Sequence, residues 1–127
     1  MDKVVHFEVP ADNVERAQKF FGDVFGWEIH KAPLDTSDYY FVHTVETDDK
    51  GMPKESGAIN GGMMKRQSPS ESVVIVLSVA SLQRSLDKVE EAGGKVVTPE
   101  MKVGDMGLYA RVTDTEGNVI GLWQNLK

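Results

Sequence analysis

Residues 4–27 read VVHFEVPADNVERAQKFFGDVFGW. Val4 to Val9 is dominated by β-branched and aromatic residues and is closed by Pro10, which predicts a strand. Asp12 stands where a helix N-cap belongs, with Glu15 three positions later. Val14, Ala17, Phe20, Phe21 and Val24 then recur at helical spacing, and Gly22 or the pair Phe25-Gly26 closes the helix. Outward from this unit, the chain predicts a short strand at Trp27 to His30 and a longer one at Asp38 to Thr47. A polar loop at Asp48 to Glu55 and an extended segment at Ser56 to Lys65 follow.

The same order then returns. Val73 to Val79 reads as a strand, and Ser81 caps a helix whose Leu82, Leu86, Val89 and Ala92 share one face. Gly93-Gly94 stops that helix, and Lys95 to Thr98 is a short strand before Pro99. Leu108 to Thr113 and Asn118 to Gln124 are strands joined by the turn Asp114-Thr115-Glu116-Gly117. An offset of 68 aligns His6 with Val74, Val14 with Leu82, and Gly26 with Gly94. An offset of 60 aligns Gly57 with Gly117, Gly61 with Gly121, and Met63 with Trp123. The reading is an α+β chain of two tandem βαβββ modules, about 1–66 and about 72–127, in one domain.

Composition narrows the function. A net charge of −6, with 14 basic and 20 acidic residues, argues against a nucleic-acid partner. There is no cysteine, hence no disulfide or thiolate chemistry, and no apolar run of membrane-spanning length. The N-terminus shows no secretory pattern, so a cytoplasmic protein without a membrane partner is expected.

Five segments carry a resemblance. They are residues 5–12 (VHFEVPAD), 20–27 (FFGDVFGW), 57–63 (GAINGGM), 91–97 (EAGGKVV) and 114–124 (DTEGNVIGLWQ). In this order the chain resembles the vicinal oxygen chelate superfamily, which comprises glyoxalases, bleomycin-resistance proteins and dioxygenases. It is most similar to the predicted enzymes related to lactoylglutathione lyase. The resemblance implies two βαβββ modules whose curved sheet encloses a cleft, and, by analogy, a homodimer. In metal-dependent members, the first and fourth strands of each module supply His or Glu ligands. Carried over, those positions are His6, Gly61, Val74 and Gly121. One donor in four does not hold a divalent ion tightly, so no metal or other cofactor is expected.

The remaining candidates come from strand alternation. His6 and Glu8 share the face opposite Val5, Phe7 and Val9, and an imidazole beside a carboxylate suits acid–base chemistry. Gly121 and Trp123 share a face opposite Ile120 and Leu122, with Met63 and Gly61 as their counterparts under the offset of 60. These four are expected to shape an apolar pocket. The run Tyr39-Tyr40-Phe41 does not fix its own phase, and Tyr40 or one of its neighbours is placed at the mouth. Tyr109 and Arg111 share a face, and the guanidinium would suit a carboxylate. The expected function is binding of a small amphipathic or aromatic compound in the cleft between the modules. The alternative is a lyase, isomerase or dioxygenase using His6 and Glu8 or an atypical metal site.

Overall fold

The computed structural model describes residues 1–33 and 38–127. The element order is β1 (Lys3–Ala11), α1 (Val14–Phe25), β2 (Glu28–Lys31), β3 (Tyr39–His43), β4 (Gly61–Lys65), β5 (Val74–Ser78), α2 (Leu82–Glu91), β6 (Lys95–Val103), β7 (Gly107–Thr113) and β8 (Val119–Asn125). This is the α+β, twice-repeated βαβββ order expected. The chain divides into one unit of residues 6–73 and a second of residues 74–127 together with residues 1–5. No described helix is long and apolar enough to cross a membrane.

In the first unit the strands lie in the order β2-β3-β4-β1, with β1 and β4 parallel and the other neighbours antiparallel. Its core is Ala11, Val42 and Met63, packed with Phe7, Val9, Val14, Ala17, Phe21, Trp27, Ile29 and Tyr40. Phe21 and Trp27 stack at 4.8 Å between ring centroids, tying the end of α1 to the segment that follows it. The second unit repeats the plan as β5-β8-β7-β6, with β5 and β8 parallel. Val79, Leu82, Leu86, Ala110, Val112 and Leu122 form its core. In both units the helix therefore covers one sheet face, and alternation turns every second strand residue to the opposite face.

Local chemistry explains where the elements differ from expectation. The N-cap of α1 is Asn13, not Asp12: its Oδ1 accepts the N–H of Arg16 at 3.0 Å, while Asp12 accepts from Arg66 Nε at 2.9 Å. The helix runs through Gly22 and ends at Gly26, whose φ of 75° is the left-handed cap that glycine favours. Ser81 caps α2 as expected. The extended segment before β4 is irregular up to Asn60, whose Oδ1 accepts from the N–H groups of Thr44 at 2.7 Å and Val45 at 3.2 Å. β6 continues past Pro99 to Val103, longer than expected, because two register shifts absorb a residue that cannot donate to the ladder.

Candidate functional site

The first unit's open face, opposite its helix, begins on β1. Phe7 and Val9 pack into the core, so His6 and Glu8 point the other way. On β3 the core takes Tyr40 and Val42, which leaves Tyr39, Phe41 and His43 on the open face. Tyr39 is the member of the aromatic run that the sequence did not single out. Its hydroxyl lies 2.9 Å from His6 Nε2 and donates to Glu8 Oε2 at 3.4 Å. Glu8 is only 6% exposed, among few polar residues buried so deeply. Burial pushes the His6 pKa below its ordinary value, and the Glu8 carboxylate partly opposes that shift. His6 is therefore neutral at pH 7 and can act as a donor at one ring nitrogen and an acceptor at the other.

The fourth strand corrects the expected register by one residue. A methyl group on Gly61 would stand 2.5 Å from the carbonyl oxygen of Phe7 and 2.7 Å from its ring, so Gly61 packs against the core-facing Phe7. A methyl group on Gly62 would stand 1.8 Å from the Tyr39 hydroxyl oxygen. The backbone agrees: Gly62 pairs with Glu8 on β1, and Gly121 pairs with Val76 on β5. Glu8 and Val76 are themselves counterparts under the offset of 68. Gly62, not Gly61, is thus the counterpart of Gly121, and the fourth strands align at an offset of 59.

Two further expectations fall with that register. Met63 corresponds to Leu122 and, like it, is core: it is fully buried. Tyr40 pairs with Met63 and packs on the same core. The space over Gly61 is taken by Phe7, and that over Gly62 and Gly121 by the phenols of Tyr39 and Tyr109.

The second unit shows the same device. Tyr109, Arg111, Gly121 and Trp123 do come together on the open face of β7 and β8, where Tyr109 pairs with Trp123 and Arg111 with Gly121. A methyl group on Gly121 would stand 2.9 Å from the Tyr109 hydroxyl oxygen. That oxygen accepts from Arg111 Nε at 2.8 Å. Trp123 donates from Nε1 to Asn125 Oδ1 at 2.6 Å, and its indole lies over Gly107. Tyr39 and Tyr109 are counterparts, each two residues before the residue that pairs with the glycine. The signal was present in the sequence: an offset of 70 aligns Tyr39 with Tyr109 and Val42 with Val112.

These residues do not fit a divalent metal. Three of the four ligand positions (Gly62, Val74 and Gly121) carry no donor, and His6 Nε2 is engaged by Tyr39. Among the described residues, no group of three or more His, Asp or Glu side chains is placed to hold an ion.

The model of the Glyoxalase/Bleomycin resistance protein/Dioxygenase superfamily matches residues 3–122. CFP32 of Mycobacterium bovis, provisionally named a glyoxylase, is 30% identical over 111 residues; the match covers 85% of this chain but 40% of that protein. The chain therefore spans well under half the length of that relative. A glyoxylase-like domain-containing protein of Didymella fabae is 28% identical over 112 residues, covering 87% of this chain and 84% of that one. Among solved structures, a methylmalonyl-CoA epimerase of Streptomyces coelicolor superposes with a TM-score of 0.68 at 13% identity, covering 98% of each chain. At that identity the likeness is one of fold.

Proposed function

Because the chain belongs to the glyoxalase/bleomycin resistance protein/dioxygenase superfamily, we propose that it is a metal-independent small-molecule-binding member. The ligand is a small amphipathic or aromatic compound with a hydrogen-bonding oxygen. One observation carries this reading: in each unit the glycine at the fourth-strand ligand position lies beneath a tyrosine hydroxyl. A phenol offers one proton and two lone pairs but does not replace the charged or imidazole donors a divalent ion needs. In the first unit, Tyr39 makes a strong contact with His6 and a longer one with Glu8. The long contact is the weaker, so it is the one with which a ligand oxygen competes for the phenolic proton.

The test has two arms. Elemental analysis after dialysis should find no stoichiometric divalent metal. Aryl carbonyl compounds, screened by thermal shift, should stabilise the wild type and lose that effect in Tyr39→Phe, since a ligand binding only the folded state raises its stability. About one metal per chain, lost on His6→Ala, would overturn the reading. So would hits indifferent to Tyr39.

A second reading rests on one observation: the Tyr39 hydroxyl lies within contact of both an imidazole and a carboxylate. That arrangement can move a proton, as an isomerase or lyase requires. Deuterium exchange next to the carbonyl of a bound compound, abolished in Glu8→Gln with binding retained, would establish it. Binding without exchange leaves the protein a binder.

A further inference from the structure

The open face of the first unit carries a second feature beyond the triad of His6, Glu8 and Tyr39. Along β3, Tyr39 and Phe41 lie 6.0 Å apart and Phe41 and His43 lie 6.5 Å apart, measured between ring centroids. His30 on β2 pairs with Phe41 in register, and its ring lies 6.2 Å from that of His43. The rings are tilted, at 66° for Phe41 with His43 and 47° for His30 with His43, so they form a corner rather than a flat platform. Beside it opens a shallow cavity of about 490 Å³, lined among others by Glu28, His30, His43, Glu46 and Lys54.

The charges select what can enter. Lys54 Nζ lies 3.7 Å from Glu46, so the one ammonium among the described residues lining the cavity already faces a carboxylate. Glu28 Oε2 lies 3.8 Å from the imidazole of His30. Set against the Lys54 ammonium, the Glu28 and Glu46 carboxylates make the described lining net acidic, as is the whole chain. An anionic or phosphorylated group would be repelled here. A cation would be attracted both by the carboxylates and by the ring faces.

We propose that this corner is a separate binding site for an organic amine with an apolar, preferably aromatic, body. The body lies against Phe41, His43 and His30, and the ammonium turns toward Glu28 and Glu46. The site adjoins the triad through the contact of Phe41 with Tyr39 but uses neither His6 nor Glu8.

The chain has three histidines, so imidazole NMR separates the two sites: His6 reports the triad, and His30 and His43 report the corner. Phenethylamine and phenylacetate form a matched pair of probes that differ in the sign of their charge. Phenethylamine should shift the His30 and His43 signals saturably and leave His6 unmoved, while phenylacetate should shift neither. Glu28→Gln should weaken phenethylamine by about two- to fivefold, the range expected for a solvent-exposed ion pair. Phe41→Leu, which keeps an apolar side chain but removes the ring, should weaken it further. No saturable shift up to about 10 mM, above the millimolar range expected of a weak site, would overturn the proposal. Equal response to phenylacetate, or affinity unchanged in Glu28→Gln, would overturn it as well.

Discussion

The open faces of the two units share one frame and carry different chemistry. Each sets a tyrosine hydroxyl over a mid-strand glycine. In the first unit the neighbours are His6 and Glu8, contributed by the first strand. In the second the first-strand counterparts are Val74 and Val76, 4% and 2% exposed, and the charge comes instead from Arg111 on the third strand. One face thus holds groups able to exchange protons. The other holds a fixed cation beside Tyr109 and Trp123, which can orient a ligand but moves no proton at physiological pH. A repeated backbone has kept the position of its phenol and let the surrounding side chains diverge.

The sharpest way to break this comparison is to add a methyl group at each glycine. Gly61→Ala should be the most damaging, at about 3 kcal/mol, because its new carbon meets the Phe7 carbonyl at 2.5 Å and a backbone atom cannot swing away. Gly62→Ala should cost less, about 1–3 kcal/mol, because the obstacle is the end of the Tyr39 side chain. Gly121→Ala should be mildest, since 2.9 Å to the Tyr109 hydroxyl needs a smaller shift. Denaturant unfolding checks the order. If Gly62→Ala leaves the His6 imidazole signal unchanged while Gly61→Ala moves it, the assignment of Gly62 to the site is wrong.

The register error behind that experiment shows what a sequence can and cannot disclose. The phase of β1 was legible because Val5, Phe7 and Val9 alternate with His6 and Glu8. That of β8 was legible because Ile120 and Leu122 alternate with Gly121 and Trp123. β4 reads Gly61-Gly62-Met63-Met64, two like residues and then two more, so nothing in it alternates. The offset of 60 then drew Gly61 onto Gly121, and a slip of one residue exchanges the two faces of a strand. β3 failed likewise: Tyr39, Tyr40 and Phe41 are all aromatic, and only packing of Tyr40 on Met63 shows which of them faces the core. The fold survived these ambiguities because five motifs in order outweigh the phase of any one strand. The site did not, since it depends on single residues.

A smaller effect should come from removing each hydroxyl. Tyr39→Phe and Tyr109→Phe should each cost about 1–2 kcal/mol, the usual worth of hydrogen bonds partly exposed or made to a charged group. Stability alone does not distinguish the faces, but spectroscopy does. Tyr39→Phe removes the partner of His6 Nε2 and should shift that imidazole strongly, whereas Tyr109→Phe should leave it in place. Similar His6 shifts in both variants would show that the two phenols are not independent reporters of their own units.

The smallest effect is a pH dependence that only the first unit can supply at this position. Burial holds the His6 pKa in the folded chain below the ordinary imidazole value of 6.5. As pH falls through 6.5 the unfolded chain takes up this proton first, while folded His6 remains neutral. Between 6.5 and the lower folded value the unfolded state therefore binds more protons. Stability contributed by His6 is complete above 6.5, declines across that window as pH falls, and levels off once the folded imidazole is protonated too. Val74, the counterpart of His6 in the second unit, cannot titrate and contributes nothing to this slope. His6→Gln keeps a neutral hydrogen-bonding group near Tyr39 and should flatten the profile, with stabilities matching the wild type near pH 7.5 and exceeding it toward the acid end. Denaturation midpoints measured from pH 7.5 down to about 5, bracketing the imidazole range, resolve the difference. A wild-type profile that rises toward acid relative to His6→Gln would mean that Glu8 holds the imidazole charged, and an identical slope in the two proteins would mean that folding does not shift it at all.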